Sequence, residues 1–200
     1  MLPVMLDVKG KKCVVVGGGR AAKRKAETLF KNGARVTVIA DRISADFDCI
    51  ADEIIKKPYS SEDIDGCFIA VAATDSAETN KKIMSDARNK AKLFLSADGV
   101  GSDMAFMAYA EAGDTKIAVS TGGRYPMLGV KLCGRLGDTC RSAEEKAVAL
   151  KKYRKRILGS SLSDTDKRNL LEMLVSDEML EIDDIKEFER RIENILGEQL

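Results

Sequence analysis

Three glycines, Gly17-Gly18-Gly19, stand directly after the apolar run Cys13-Val14-Val15-Val16 and directly before Arg20-Ala21-Ala22. Asp41 follows Gly19 by 22 residues, at the end of the second apolar run, Arg35-Val36-Thr37-Val38-Ile39-Ala40. This order of residue types suits a diphosphate. Gly17 permits a tight turn, Gly19 lets the backbone approach a pyrophosphate with no Cβ in the way, and Ala22 keeps the following helix close to a sheet. A helix opening near Arg20 turns its free N–H groups and the positive end of its dipole toward the phosphates. Asp41 can accept both hydroxyls of an adenosine ribose and disfavours a 2′-phosphate, so NAD is favoured over NADP; the guanidinium of Arg42 works against that preference. The expected cofactor-binding set is Gly17, Gly18, Gly19, Arg20, Ala21, Asp41 and Arg42, joined by Ala73 and Thr74 at the end of a later strand.

Histidine is absent from the 200 residues. The usual neutral-pH acid/base group and the commonest transition-metal ligand are therefore missing, and proton chemistry falls to carboxylates, lysine, tyrosine, cysteine or water. Five scattered cysteines with no CxxC pair argue against a disulfide framework or a zinc site. Cys13 and Cys67, in apolar runs, read as small core residues. No metal site is expected. A net charge of +1 provides no global field to recruit nucleic acid or an anionic membrane. No apolar run is long enough to span a bilayer and the start does not read as a signal peptide, so a cytoplasmic protein is expected.

The elements that position these residues alternate strand and helix, which is the pattern of an α/β fold with a Rossmann-like parallel sheet. After Asp41, Glu53 to Lys57 reads as a short strand ended by Pro58, and Cys67 to Ala72 as a buried parallel strand. A polar helix from about Ala77 to Asn89 and a strand over Lys92 to Leu95 follow. Ligands in such sheets lie outside the carboxyl ends of the strands, so Thr74, Asp75 and the segment from Ser96 onward should face the cofactor. Near Asp103 the rhythm changes to a hairpin, Met104 to Ala110 and Thr115 to Ser120, and Pro126 opens a helix to about Arg135. A hairpin there has little core of its own and reads as a dimerisation element.

The remainder is helical. One helix spans Ala143 to Ile157 with a basic end, Lys151 to Arg156, and a second is capped by Ser163 and Asp166. A third carries Ile182, Ile185, Phe188, Ile192, Ile195 and Leu196 on one face. Its surroundings, Asp177 to Glu198, hold nine acids and three bases; both charged stretches read as solvated surface. The expected organisation is an NAD-binding domain over 1–103, a dimerisation element over 104–141 and a C-terminal helical region over 142–200.

The opening Leu2-Pro3-Val4 to Leu6, Gly10-Lys11-Lys12, the triple-glycine turn and Ala22-Lys23-Arg24-Lys25-Ala26 resemble the precorrin-2 dehydrogenase family, the dehydrogenase/ferrochelatase modules of siroheme synthases. Ala72-Ala73-Thr74-Asp75 with Asn80, Phe106 beside a methionine, and Val119-Ser120-Thr121-Gly122-Gly123 followed by Pro126 and Leu128 extend the likeness over about residues 1 to 136. The resemblance implies a homodimer that oxidises precorrin-2 to sirohydrochlorin with NAD, Fe2+ being a substrate for insertion in some members. Hydride leaves a reduced macrocycle carbon, protons depart, and a carboxylate serves as base if burial or neighbours bring its pKa toward operating pH. The family's catalytic aspartate lies shortly after the strand at Lys92 to Leu95. Asp98 ranks first for that role and Asp103 second, although holding Phe94 and Phe106 in register puts the family position on Gly99.

The tetrapyrrole substrate is a polycarboxylate, and single exposed ion pairs contribute only about 0 to 1 kcal/mol, so several cations must converge. Arg124, Lys131 and Arg135, with Thr121, the Gly122-Gly123 backbone and Tyr125, form the expected substrate-binding set; Lys23, Arg24 and Lys25 read as the wet face of the first helix. Tyr125 stands where the family often has serine, and its ring could stack on a macrocycle. The competing reading is a non-catalytic, NAD-sensing module that gates a partner.

Overall fold

Cysteine and valine at every position after Lys12 make β1 (Lys12–Val16) a strand buried on both faces, and such a strand belongs at the centre of a parallel sheet. The computed structural model, which describes residues 2–199, places it there. Strands β2 (Arg35–Ile39), β3 (Glu53–Ile55), β4 (Ile69–Ala72) and β5 (Leu93–Ser96) complete an all-parallel sheet of order β3-β2-β1-β4-β5. Cys13 and Val15 point to one face, where they pack with Ala22, Ala26 and Leu29 of α1 (Arg20–Lys31). Val14 and Val16 point to the other, toward Ile83 and Ala87 of α2 (Ala77–Lys90). Period-two alternation along β1 thus holds a helix on each face, as the expected Rossmann-like fold requires. Ala22 is fully buried, in keeping with its role of letting α1 lie close to the sheet. Burial lifts the Cys13 and Cys67 thiols to about 11, which fits inert core residues.

The chain divides into two compact units, Met1–Phe106 and Met107–Leu200. In the second, β6 (Ala108–Ala112) and β7 (Thr115–Val119) form an antiparallel hairpin across Gly113 and Asp114. The first strand of the pair begins at Ala108 rather than Met104, because Met104 and Phe106 pack onto the core of the parallel-sheet unit. Helix α3 (Pro126–Arg135) has Pro126 at its start, and α4 (Gly137–Leu158) continues from it through Leu136. Both pack on the hairpin. α4 runs unbroken through position 141, so residues 104–141 and 142–200 share one helix. Its far half meets α5 (Asp164–Met173), α6 (Asp177–Leu180) and α7 (Ile185–Gln199) around Tyr153, Ile157, Leu174, Phe188, Ile192 and Leu196. Ser163 caps α5 as its sequence suggests, accepting the Asp166 amide at 3.2 Å. Among the described residues no helix is long and apolar enough to cross a membrane.

Candidate functional site

The carboxyl ends of β1, β2 and β4 open onto a cleft of about 450 Å³ lined by Gly17, Gly18, Gly19, Asp41, Arg42, Ala73, Thr74 and Asp75. The first two glycines answer to the protein's own backbone. Gly17 turns at φ +136°, where a Cβ would lie 2.2 Å from the Ala73 carbonyl oxygen, and a Cβ on Gly18 would lie 2.0 Å from the Arg42 carbonyl oxygen. A Cβ on Gly19 would meet nothing within 4 Å. The open approach belongs to Gly19 as expected, while Gly18 is needed for close packing of the chain after Asp41. There the Gly18 carbonyl accepts the Ser44 and Ala45 amides, each at 3.0 Å, which pins the segment beyond Asp41 and Arg42 to the glycine turn. No side chain caps the start of α1, so its first-turn amides are available to an anion. Arg20 and Ala21 are exposed on that first turn and do not line the cleft.

Asp41 is exposed at the rim, with Oδ1 accepting the Arg42 amide at 2.9 Å. The turn after β4 is held by Thr74 and Asn80. The Asn80 carboxamide oxygen accepts from the Thr74 hydroxyl at 2.7 Å and its Nδ2 donates to the Thr74 carbonyl at 3.0 Å. Ser44, Lys57, Pro58, Tyr59, Ser76 and Thr79 also line the cleft and were missing from the expected set. Lys57 pairs with Asp63 at 2.5 Å, and the Tyr59 hydroxyl donates to Asp86 at 2.9 Å. Burial and the Asp86 carboxylate push the Tyr59 phenol well up, so it stays protonated. The signal was present: Lys57-Pro58-Tyr59 follow a strand, and the carboxyl ends of strands in such sheets face the ligand.

The two candidate acids sit in the loop leaving β5, and neither lines this cleft. Asp98 is exposed; its Oδ1 accepts the Ser96 hydroxyl at 2.5 Å and the Val100 amide at 3.0 Å. These bonds hold its carboxyl below the usual range, opposite to the upward tuning expected for a base. Asp103 serves the loop: Oδ2 accepts the Phe94 amide at 2.9 Å while its own amide donates to the Phe94 carbonyl at 3.0 Å. Gly99, next to Asp98, has φ +83°, a left-handed conformation in which a side chain is strained. Lys25 departs from the expected wet face. It is half-buried, its ammonium 4.9 Å from the centre of the Phe106 ring, and burial lowers its pKa.

The expected substrate cluster lies in the second unit. Gly122 and Gly123 both take positive φ, and the turn closes with the Arg124 amide and Nε donating to the Thr121 carbonyl, each at 3.3 Å. Thr121 Oγ1 accepts the Tyr125 amide at 3.3 Å, and Tyr125 stands at the start of α3 with 63 % of its surface exposed. Lys131 and Arg135 are exposed one turn apart on α3. Among the described residues no group of three or more Cys, Asp or Glu side chains is arranged to hold a metal ion.

A glycine turn closed by backbone, an uncapped helix start and an exposed carboxylate at the end of β2 define a nicotinamide-dinucleotide-binding protein of Rossmann type. The family model described as "Putative NAD(P)-binding" matches residues 4–107. The siroheme synthases of Salmonella dublin and Salmonella typhimurium are each 32% identical over 133 residues, 64% of this chain and 29% of theirs. The chain thus spans under a third of the length of these curated relatives. A solved structure of SirC, precorrin-2 dehydrogenase, superposes with a TM-score of 0.69 at 26% identity, covering 97% of this chain and 100% of that one. The chain belongs to the NAD(P)-binding family whose model it matches, and its likeness to siroheme synthases and to SirC agrees with the resemblance its motifs carry.

Proposed function

We propose that this protein is an NAD-dependent precorrin-2 dehydrogenase that forms sirohydrochlorin and works as a homodimer. The observation that carries the reading is the cleft at the sheet's carboxyl edge, with Gly19 open, α1 uncapped and Asp41 exposed on its rim. The first-turn amides of α1 hold the diphosphate and Asp41 takes the adenosine ribose hydroxyls, which favours NAD; Thr74, fixed by Asn80, borders the coenzyme. A bound nicotinamide supplies the hydride acceptor. Asp98, ionised at neutral pH, accepts a proton released as conjugation spreads through the macrocycle. Arg124, Lys131 and Arg135 neutralise the substrate's carboxylates, and the exposed ring of Tyr125 packs on its flat face. Exposed Met127, Leu128 and Val130 on α3 support pairing of two copies through residues 104–141.

Purified protein mixed with NAD and precorrin-2 should develop sirohydrochlorin absorbance together with NADH. NAD binding without turnover would favour the sensing module instead. Fe2+ insertion is a second activity of the same proposal, asked separately by adding Fe2+ to sirohydrochlorin and following siroheme. Sedimentation should give a dimer that Val130→Glu dissociates.

A further inference from the structure

We propose that Ser96 is a positioning residue for Asp98, its hydroxyl fixing the orientation of that carboxylate for proton transfer; this rests on the dehydrogenase reading above. Ser96 is the last residue of β5 and only 4% exposed. A buried serine hydroxyl that only satisfies the fold ordinarily bonds to nearby main chain. This one leaves the sheet and donates at 2.5 Å to Oδ1 of an exposed side chain two residues on. The serine itself cannot drift, because its amide donates to Ser102 Oγ at 2.8 Å and its strand is paired with β4. The next fastening of the loop is Asp103, bound to the Phe94 amide. The loop that carries Asp98 is therefore closed at its base by Ser102 and Asp103, and the Val100 amide donates to the same Oδ1 at 3.0 Å. An exposed aspartate ordinarily samples its rotamers freely; here two donors, one rooted in the sheet, select a single oxygen and orientation.

The groups that hold Asp98 are uncharged: the Ser96 hydroxyl and the Val100 amide. Asp103 faces the Phe94 amide, and Arg88 of α2 with Lys92 lines a separate cavity of about 530 Å³ with Met84, Phe94 and Gly101. Loss of the Ser96 hydroxyl should therefore register directly on Asp98.

The test uses the full chain and four variants: Ser96→Ala, Ser96→Thr, Asp98→Asn and the double variant Ser96→Ala/Asp98→Asn. In the protein without coenzyme, carbon-detected NMR should show the Asp98 carboxyl titrating about one pH unit higher in S96A and at the wild-type position in S96T. With NAD and precorrin-2, the acid limb of kcat/KM should move up by the same interval in S96A, with kcat reduced about tenfold and KM for NAD unchanged. In the Asp98→Asn background, S96A should have no further effect, whereas a structural residue costs the same in both backgrounds. An unmoved carboxyl titration in folded S96A, an unmoved acid limb, or additive losses in the double variant would overturn the role. Wild-type protein without turnover would overturn the dehydrogenase reading itself, a separate result from active protein indifferent to Ser96.

Discussion

The glycine turn separates two demands that a motif merges. Gly17 and Gly18 are constrained by carbonyl oxygens that a Cβ would strike at 2.2 and 2.0 Å, whereas a Cβ on Gly19 would meet nothing within 4 Å. Gly18→Ala should accordingly cost about 2 kcal/mol or more of stability, because the obstacle is backbone and cannot swing aside. Gly19→Ala should leave the melting temperature near wild type and weaken NAD binding by tenfold or more, about 1.4 kcal/mol, as calorimetry can show. Equal destabilisation by the two substitutions would contradict this division. At the rim, Asp41→Asn should weaken NAD about 10- to 100-fold and narrow the gap to NADP, since it removes a charged acceptor and a negative charge together. The glycines and Asp41 were legible from residue type and spacing. For Lys57 and Tyr59 the sequence shows only that they follow a strand; that this strand end borders the same cleft depends on β3 lying beside β2 at the sheet edge.

At the level of elements, the turn of the hairpin is held by Glu144 of α4, while the Cys140 thiol of the same helix donates to the Ala110 and Thr115 carbonyls. Glu144 accepts the Asp114 amide at 3.3 Å, the Thr115 amide at 2.9 Å and the Thr115 hydroxyl at 2.6 Å. These bonds hold its carboxyl below its ordinary value. A depressed folded pKa contributes stability that is fully present above the unfolded value near 4.5 and is lost as pH falls through the lower, folded one. Acid titration followed by amide hydrogen exchange should therefore find the turn at Gly113 and Asp114 opening in that interval. Glu144→Ala should expose the same amides already at neutral pH. The helix boundaries at Arg20, Ala77 and Pro126 were readable from glycine, serine and proline chemistry. The start of β6 was not, since whether Met104 and Phe106 extend a hairpin or cover the parallel-sheet core depends on which apolar surface they can bury.

For the whole molecule, two units with separate cores predict separable behaviour. Phe188 is fully buried among the C-terminal helices, so Phe188→Ala should remove about 3 to 5 kcal/mol from that unit, visible as an early melting step. Affinity for the nicotinamide coenzyme, whose family model matches the parallel-sheet unit, should be retained; loss of both together would show one cooperative body. By itself the sequence determined the strand-turn-helix-strand unit, the glycine turn and the carboxylate after the second strand, because these depend on local periodicity and on which residues tolerate a tight turn. Only the tertiary structure decided which glycines meet neighbouring backbone and that Ser96 reaches Asp98. It also decided that α4 joins the hairpin to the terminal helices. Those outcomes depend on contacts between distant segments and on hydroxyl and carboxylate directions, which residue spacing along a chain does not encode.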